Sequence, residues 1–181
     1  MKKLPFLPST VAVFAGALLL SGCASPQAQP PTKTTSVSES WAKAYPTLKD
    51  LTQSADAIVV GTVEKSAPAA SVDGIPFTDA TVAVKSWLKG TKPAATITVR
   101  QTGGALKDAV VVAEGDAIMQ PGEESMLFLQ KNDNGTYVAL SGPTGRLAVS
   151  GTSVKKLPDT SLTEAIPETL PELIAAVKRH H

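Results

Sequence analysis

The chain holds one cysteine, two histidines and few aromatic rings: two Trp, two Tyr and four Phe in 181 residues. Each shortage excludes something. A lone thiol closes no disulfide within the chain and builds no cysteine-based zinc site. The histidines are the last two residues, His180 and His181. A Ser-His-Asp or Cys-His arrangement would therefore have to borrow the chain terminus. So few rings give little purchase for stacking on bases or sugars. With a formal net charge of +1, the chain offers no electrostatic case for nucleic acid or anionic lipid. No apolar run reaches the ~20 residues that span a bilayer as a helix.

What is present begins with an export pattern. Lys2 and Lys3 give a positive start, an apolar stretch runs from Val11 to Leu20, and Ser21 and Gly22 are small. This is the order of a signal peptide, with residues 1–22 expected to be removed after Gly22. The four residues Leu20-Ser21-Gly22-Cys23 resemble the lipobox of bacterial lipoproteins at every position. That resemblance implies a diacylglycerol thioether on Cys23, further fatty acid such as palmitate on the new N-terminus, and a place on the extracytoplasmic side of the cell membrane or outer membrane. The physics of anchoring agrees, because each buried methylene contributes ~0.8 kcal/mol and two or more chains hold stably. Removing the first 22 of 181 residues leaves 159, with 15 basic against 16 acidic side chains. That is enough chain for one domain with its own core.

Residues 23–40 are rich in Pro, Ser, Thr and Gln and poor in large apolar side chains. They cannot bury enough surface to fold, and are expected to be a disordered tether. Residues 41–181 are expected to form a single globular domain.

Within it, "YPTLKDLTQSAD" predicts a short helix capped by Thr47, with Leu48, Leu51 and Ala55 on one face. "AIVVGTVEK", Ala57 to Lys65, is β-branched and predicts a strand. "TDATVAVKSWLKG" predicts another, with Ala80, Val82 and Val84 on one side. "ATITVRQTGG" alternates, placing Ile97 and Val99 inward and Thr96, Thr98 and Arg100 outward. A short strand is expected at Val110 to Val112, and Pro121-Gly122 predicts a turn. "SMLFLQK" and "TYVALSG" predict a hairpin joined by Asn132-Asp133-Asn134-Gly135, and "GRLAVSG" a further short strand. Ser161…Glu164 and Thr169…Glu172 both have capping-box spacing, and Leu170, Leu173, Ile174 and Val177 share a helical face interrupted upstream by Pro167. Strands in the middle and helices at both ends predict a mainly β fold: a small antiparallel OB-like barrel or sandwich with short N-terminal and C-terminal helices.

The segments "ADAIVVGTVEKS", "FTDATVAVKSWLKG", "ATITVRQTGG" and "MQPGEESMLFLQKNDNGTY" resemble a domain of small bacterial secreted and cell-surface proteins to which no activity is attached. Their order is also similar, more distantly, to the netrin and tissue-inhibitor modules, which implies an OB-type five-stranded barrel. The similarity runs from about Leu48 to Tyr137 and rests on turns and core strands. The chain lacks the cysteines of the netrin group, so protease inhibition through a disulfide-braced N-terminus does not carry over.

The remaining candidates for chemistry are few. Asn132 to Gly135 lacks the alternating oxygen ligands and later glutamate of a calcium loop. Glu123 and Glu124 are adjacent, and adjacent strand residues point to opposite faces, which opposes a paired acid-base role. Gly103-Gly104 follows a strand without a phosphate-binding pattern; it predicts a flexible turn, with ligand approach as its functional reading. Trp87 shares a parity with outward residues, so it faces out unless a bulge shifts it. Arg100 lies on the outer face. Trp87, Arg100, Gly103 and Gly104 are thus the candidate binding surface, Cys23 the lipidation site and Gly22 the cleavage site. No catalytic residue, metal site or cofactor is expected. The expected function is a lipid-anchored, non-enzymatic binding or envelope-associated module whose partners are the membrane and an envelope protein, not nucleic acid. An inhibitor or accessory factor of another envelope protein is the alternative, and a hydrolase the third.

Overall fold

A computed structural model of the chain describes residues 33–37, 43–91, 95–106 and 109–180. Gly22, Cys23, Trp41 and His181 lie outside these residues, as does the whole signal segment. Among the described residues, nine strands and two helices follow in the order β1 (Lys33–Val37), α1 (Leu48–Ser54), β2 (Ala57–Val72), β3 (Ile75–Lys89), β4 (Thr96–Leu106), β5 (Ala109–Ala113), β6 (Glu124–Lys131), β7 (Tyr137–Ala139), β8 (Arg146–Ser150), β9 (Ser153–Lys156) and α2 (Leu170–His180), with a 3₁₀ turn at Gly142–Gly145.

The protein is a mainly β, OB-like barrel with two short helices. Strands β2, β3, β4, β7 and β6 form the ring. Its neighbours are antiparallel except for one parallel bridge, Val99 to Tyr137, which joins β4 to β7 and closes the barrel. The hairpin of β8 and β9 continues the sheet from the first half of β6, and β5 and β1 continue it from the end of β4.

Two cores follow from the strand alternation. Val59, Val63, Ala80, Val82, Ile97, Val99, Leu127, Leu129 and Tyr137 fill the barrel, with Met119 among them. On the outer face, Ile58, Val60, Met126, Phe128 and Leu147 meet Leu48 and Leu51 of α1 and Leu173, Ala176 and Val177 of α2. The sequences "AIVV" and "MLFL" are unbroken apolar runs because β2 and β6 are buried on both faces. Each fully buried side chain of this size contributes about 1.5–3 kcal/mol.

Several expectations change at this level. β2 does not stop at Lys65 but runs to Val72, and turns into β3 through Asp73 and Gly74, both with positive φ (49° and 79°). That is the geometry of a two-residue hairpin, and Asp-Gly is its preferred pair. Beyond Val63 the ribbon leaves the barrel and pairs only with β3. An edge tolerates Pro68, which has no N–H to give to a ladder. Gly103 and Gly104 are not a flexible turn. Both are buried inside β4, where it leaves β3 for β5. A side chain on Gly103 would lie 2.6 Å from the carbonyl oxygen of Val111, and one on Gly104 2.8 Å from Thr78 Oγ1. The strands approach too closely there for any larger residue.

Part of the expected tether is ordered as well. Lys33–Val37 pairs in parallel with β5, although the side chains of Thr34, Thr35 and Ser36 are exposed. Main-chain hydrogen bonds to an open edge hold this strand, so a composition argument based on buried area does not detect it. Ser161 and Glu164 do not cap a helix of their own. Ser161 Oγ accepts from the Tyr45 amide (2.9 Å) and a Glu164 carboxylate oxygen accepts from the Leu48 amide (2.7 Å), so both serve the entry to α1. The Thr169–Glu172 spacing does open a helix, with Thr169 Oγ1 donating to Glu172 at 2.7 Å.

Candidate functional site

A cavity of about 960 Å³ lies between the two outlying parts of the sheet. Thr34 and Ser36 of β1 and Val112 and Ala113 of β5 form one wall. Ala148 and Val149 of β8, with Leu157 and Pro158 beyond β9, form the other. Glu123, Glu124 and Arg146 supply charge. β5 and β8 supply apolar side chains to these walls, and β1 supplies the hydroxyls of Thr34 and Ser36.

Arg146 and Glu124, at this cavity, are held by partners outside its lining. Arg146 and Asp116 are both buried and form an ion pair through Nη1 and Oδ1. Nη1 also donates to the Ala117 carbonyl at 2.7 Å. Gln101, buried beside them, donates through Nε2 to Asp116 Oδ1 and to the Ala117 carbonyl, each at 3.2 Å, and accepts from the Met119 amide at 2.8 Å. These bonds clip the crossover after β5 onto β4 and β8 and seat Met119 in the barrel. Glu123 lies 3.8 Å from Arg146 Nη2, and Glu124 pairs with Lys85 at 2.7 Å. The adjacent carboxylates therefore answer to different cations. The Pro121-Gly122 turn that precedes them is closed by the Glu123 amide donating to the Gln120 carbonyl at 3.1 Å, with Gly122 at φ 90°.

The residues predicted as a binding surface are not brought together at this cavity. Trp87 is half-buried against the barrel core, because the β2–β3 register slips by one residue between Val84 and Ser86, skipping Lys85, and that single slip brings its ring to the inner side. Its Nε1 is buried and has no hydrogen-bond partner. Arg100 stands directly opposite Asp79 on β3 and binds its carboxylate through two bonds of 2.7 and 2.8 Å. The hydrogen bond to Asp79 raises the guanidinium pKa further above its ordinary value. Gly103 and Gly104 lie inside β4, as described, against the chain's own backbone. Asn132 to Gly135 make a hairpin, with the Asn132 amide donating to the Thr136 carbonyl at 2.8 Å.

Sequence reasoning missed the Gln101–Asp116–Arg146 cluster. Its one sequence signal is an arginine opening the apolar run "RLAVS", which reads equally well as a strand-end charge. His180 is the last described residue, at the end of α2. Among the described residues, no group of three His, Cys, Asp or Glu side chains is placed to hold a metal ion, and no helix is long and apolar enough to cross a membrane. The chain matches no model of a known protein family, and no curated protein matches it.

Proposed function

We propose that the protein is a lipid-anchored, non-enzymatic envelope lipoprotein that binds another envelope protein. The observation that carries the anchor is Leu20-Ser21-Gly22-Cys23 at the end of an export signal. The binding role is supported by the cavity between β5 and β8. It offers apolar side chains from β5 and β8, and at its edge Arg146 is held by Asp116 and Glu124 by Lys85. A tethered domain needs only modest affinity for a neighbour in the same membrane, because anchoring raises the effective concentration.

One experiment addresses both parts. Cells expressing the wild-type chain, Cys23→Ser and Ala148→Arg are fed a labelled fatty acid and cross-linked intact. The wild type takes up label and captures a discrete envelope protein. Cys23→Ser takes up none and keeps its signal segment uncut. Ala148→Arg, which puts a bulky charge into the cavity, keeps the label and loses the cross-link. A wild-type protein without label defeats the anchor. Capture that survives Ala148→Arg defeats the cavity as the binding site.

A further inference from the structure

Among the described residues, the large apolar side chains left exposed are Val72 (55%), Ile75 (47%) and Leu106 (47%). Scattered singly they would need no explanation. They are not scattered. Val72 and Ile75 face each other across the Asp73-Gly74 turn at the tip of the β2–β3 ribbon. Leu106 is the last residue of β4, paired with Ala109 at the tip of the β4–β5 hairpin. The antiparallel register, with Phe77 opposite Thr102, sets the start of β3 beside the end of β4. Both tips therefore project from the same end of the barrel.

The chain also enters at that end. β1 runs parallel to β5 with Lys33 opposite Ala109, so the first described residue lies at this end. Nine residues separate Lys33 from Cys23. At about 3.3–3.6 Å per residue, that segment reaches no further than about 35 Å even when straight. From Ser66 to Thr78 the one charged side chain is Asp73. The other end differs. The β6–β7 turn sits beside the start of β2, since Ala57 pairs with Leu129, and its residues Lys131 to Thr136 are polar apart from Gly135.

We infer that the β2–β3 turn and the end of β4 rest on the bilayer that holds the anchor, with Val72, Ile75 and Leu106 seated at the boundary of headgroups and acyl chains. The inference rests on acylation of Cys23. The occupant is a lipid surface because a short segment leaving at this end keeps that surface always within reach. Three partly exposed side chains would hold weakly by themselves; they orient a domain that the acyl chains retain.

The test uses the full chain, processed in cells with labelled fatty acid and reconstituted into phosphatidylcholine–phosphatidylglycerol vesicles. A single cysteine carrying an environment-sensitive fluorophore is placed by Ile75→Cys, Leu106→Cys or, at the far turn, Asp133→Cys. Acylation leaves the chain no other free thiol. Expected are a blue shift and quenching by brominated lipid at positions 75 and 106, with position 133 unaffected. If the labelled protein floats with the vesicles while the tip probes are no more quenched than position 133, the orientation is wrong. That includes the case in which the tip probes are shielded without quenching, as contact with protein would produce. Absence of fatty-acid label instead defeats the acylation reading, and this inference with it.

Discussion

At the scale of single residues, the buried Arg146–Asp116 pair carries the largest single energetic stake. Removing a charge from water costs several kcal/mol, and its partner repays this only while both are present. Gln101 and the Ala117 carbonyl complete the set, while Arg146 Nε is left without a partner. Asp116→Ala should therefore destabilise the domain by about 3 kcal/mol, whereas Asp116→Leu with Arg146→Met should cost much less. Denaturant unfolding of the single and double variants checks this, and equal losses would show that the pair is not the source. The Arg100–Asp79 pair is the contrast. Both side chains keep about a quarter of their surface in water, so solvent screens them and the pair is worth no more than about 1 kcal/mol. Trp87 shows why residue-level reading is fragile: one slip of register, at Lys85, turned an outward parity inward.

At the scale of elements, α1 is a helix that its own sequence only half specifies. Thr47 caps it, accepting from the Asp50 amide at 3.1 Å, as the spacing predicts. Seven residues cannot hold a helix in water by propensity. The rest of its termination comes from far along the chain. Glu164 accepts from the Leu48 amide at the positive end, and Lys89 donates to the Thr52 and Gln53 carbonyls, at 2.9 and 3.0 Å, at the negative end. Glu164→Ala and Lys89→Ala should each cost about 0.5–1 kcal/mol, and the loss for Glu164→Ala should shrink in high salt. A thermal melt at two ionic strengths reads both effects. Loss of the whole fold in either variant would mean that α1 depends on them more than capping allows.

At the scale of the whole molecule, barrel closure divides the chain into a protected ring and projecting ribbons. Ala57 to Val63 lies between β3 and β6 and is buried, whereas Glu64 to Val72 has β3 alone as neighbour and is mostly exposed. Amide exchange should follow this boundary within one continuous strand, slow up to Val63 and fast beyond Lys65. Uniform protection along β2 would contradict it. The same division sets the exposed Val72 and Ile75 at the β2–β3 turn apart from the polar turn at Asn132–Gly135.

Much of this fold is legible in the sequence, for identifiable reasons. Alternation in "ATITVRQ" placed Ile97 and Val99 inward, unbroken apolar runs marked the two strands buried on both faces, and Asn-Gly and Pro-Gly pairs marked their turns. These are local signals, set by the backbone angles and side-chain period of a few neighbouring residues. The candidate site was not legible in this way. The cavity needs β1, β5 and β8, which are distant in sequence, and the cluster beneath it joins residues 101, 116 and 146.

The amino-acid sequence by itself determined the lone thiol at residue 23, the β-rich character and the succession of most barrel strands along the chain. Tertiary structure alone decided that Lys33–Val37 pairs with β5, that Gly103 and Gly104 mark a close crossing, that Trp87 turns inward, and that Val72, Ile75 and Leu106 stay exposed. The physical reason is range. Periodicity and turn preference act over a few residues, whereas edge pairing, register slips and the meeting of two hairpin tips depend on which strand lies next to which.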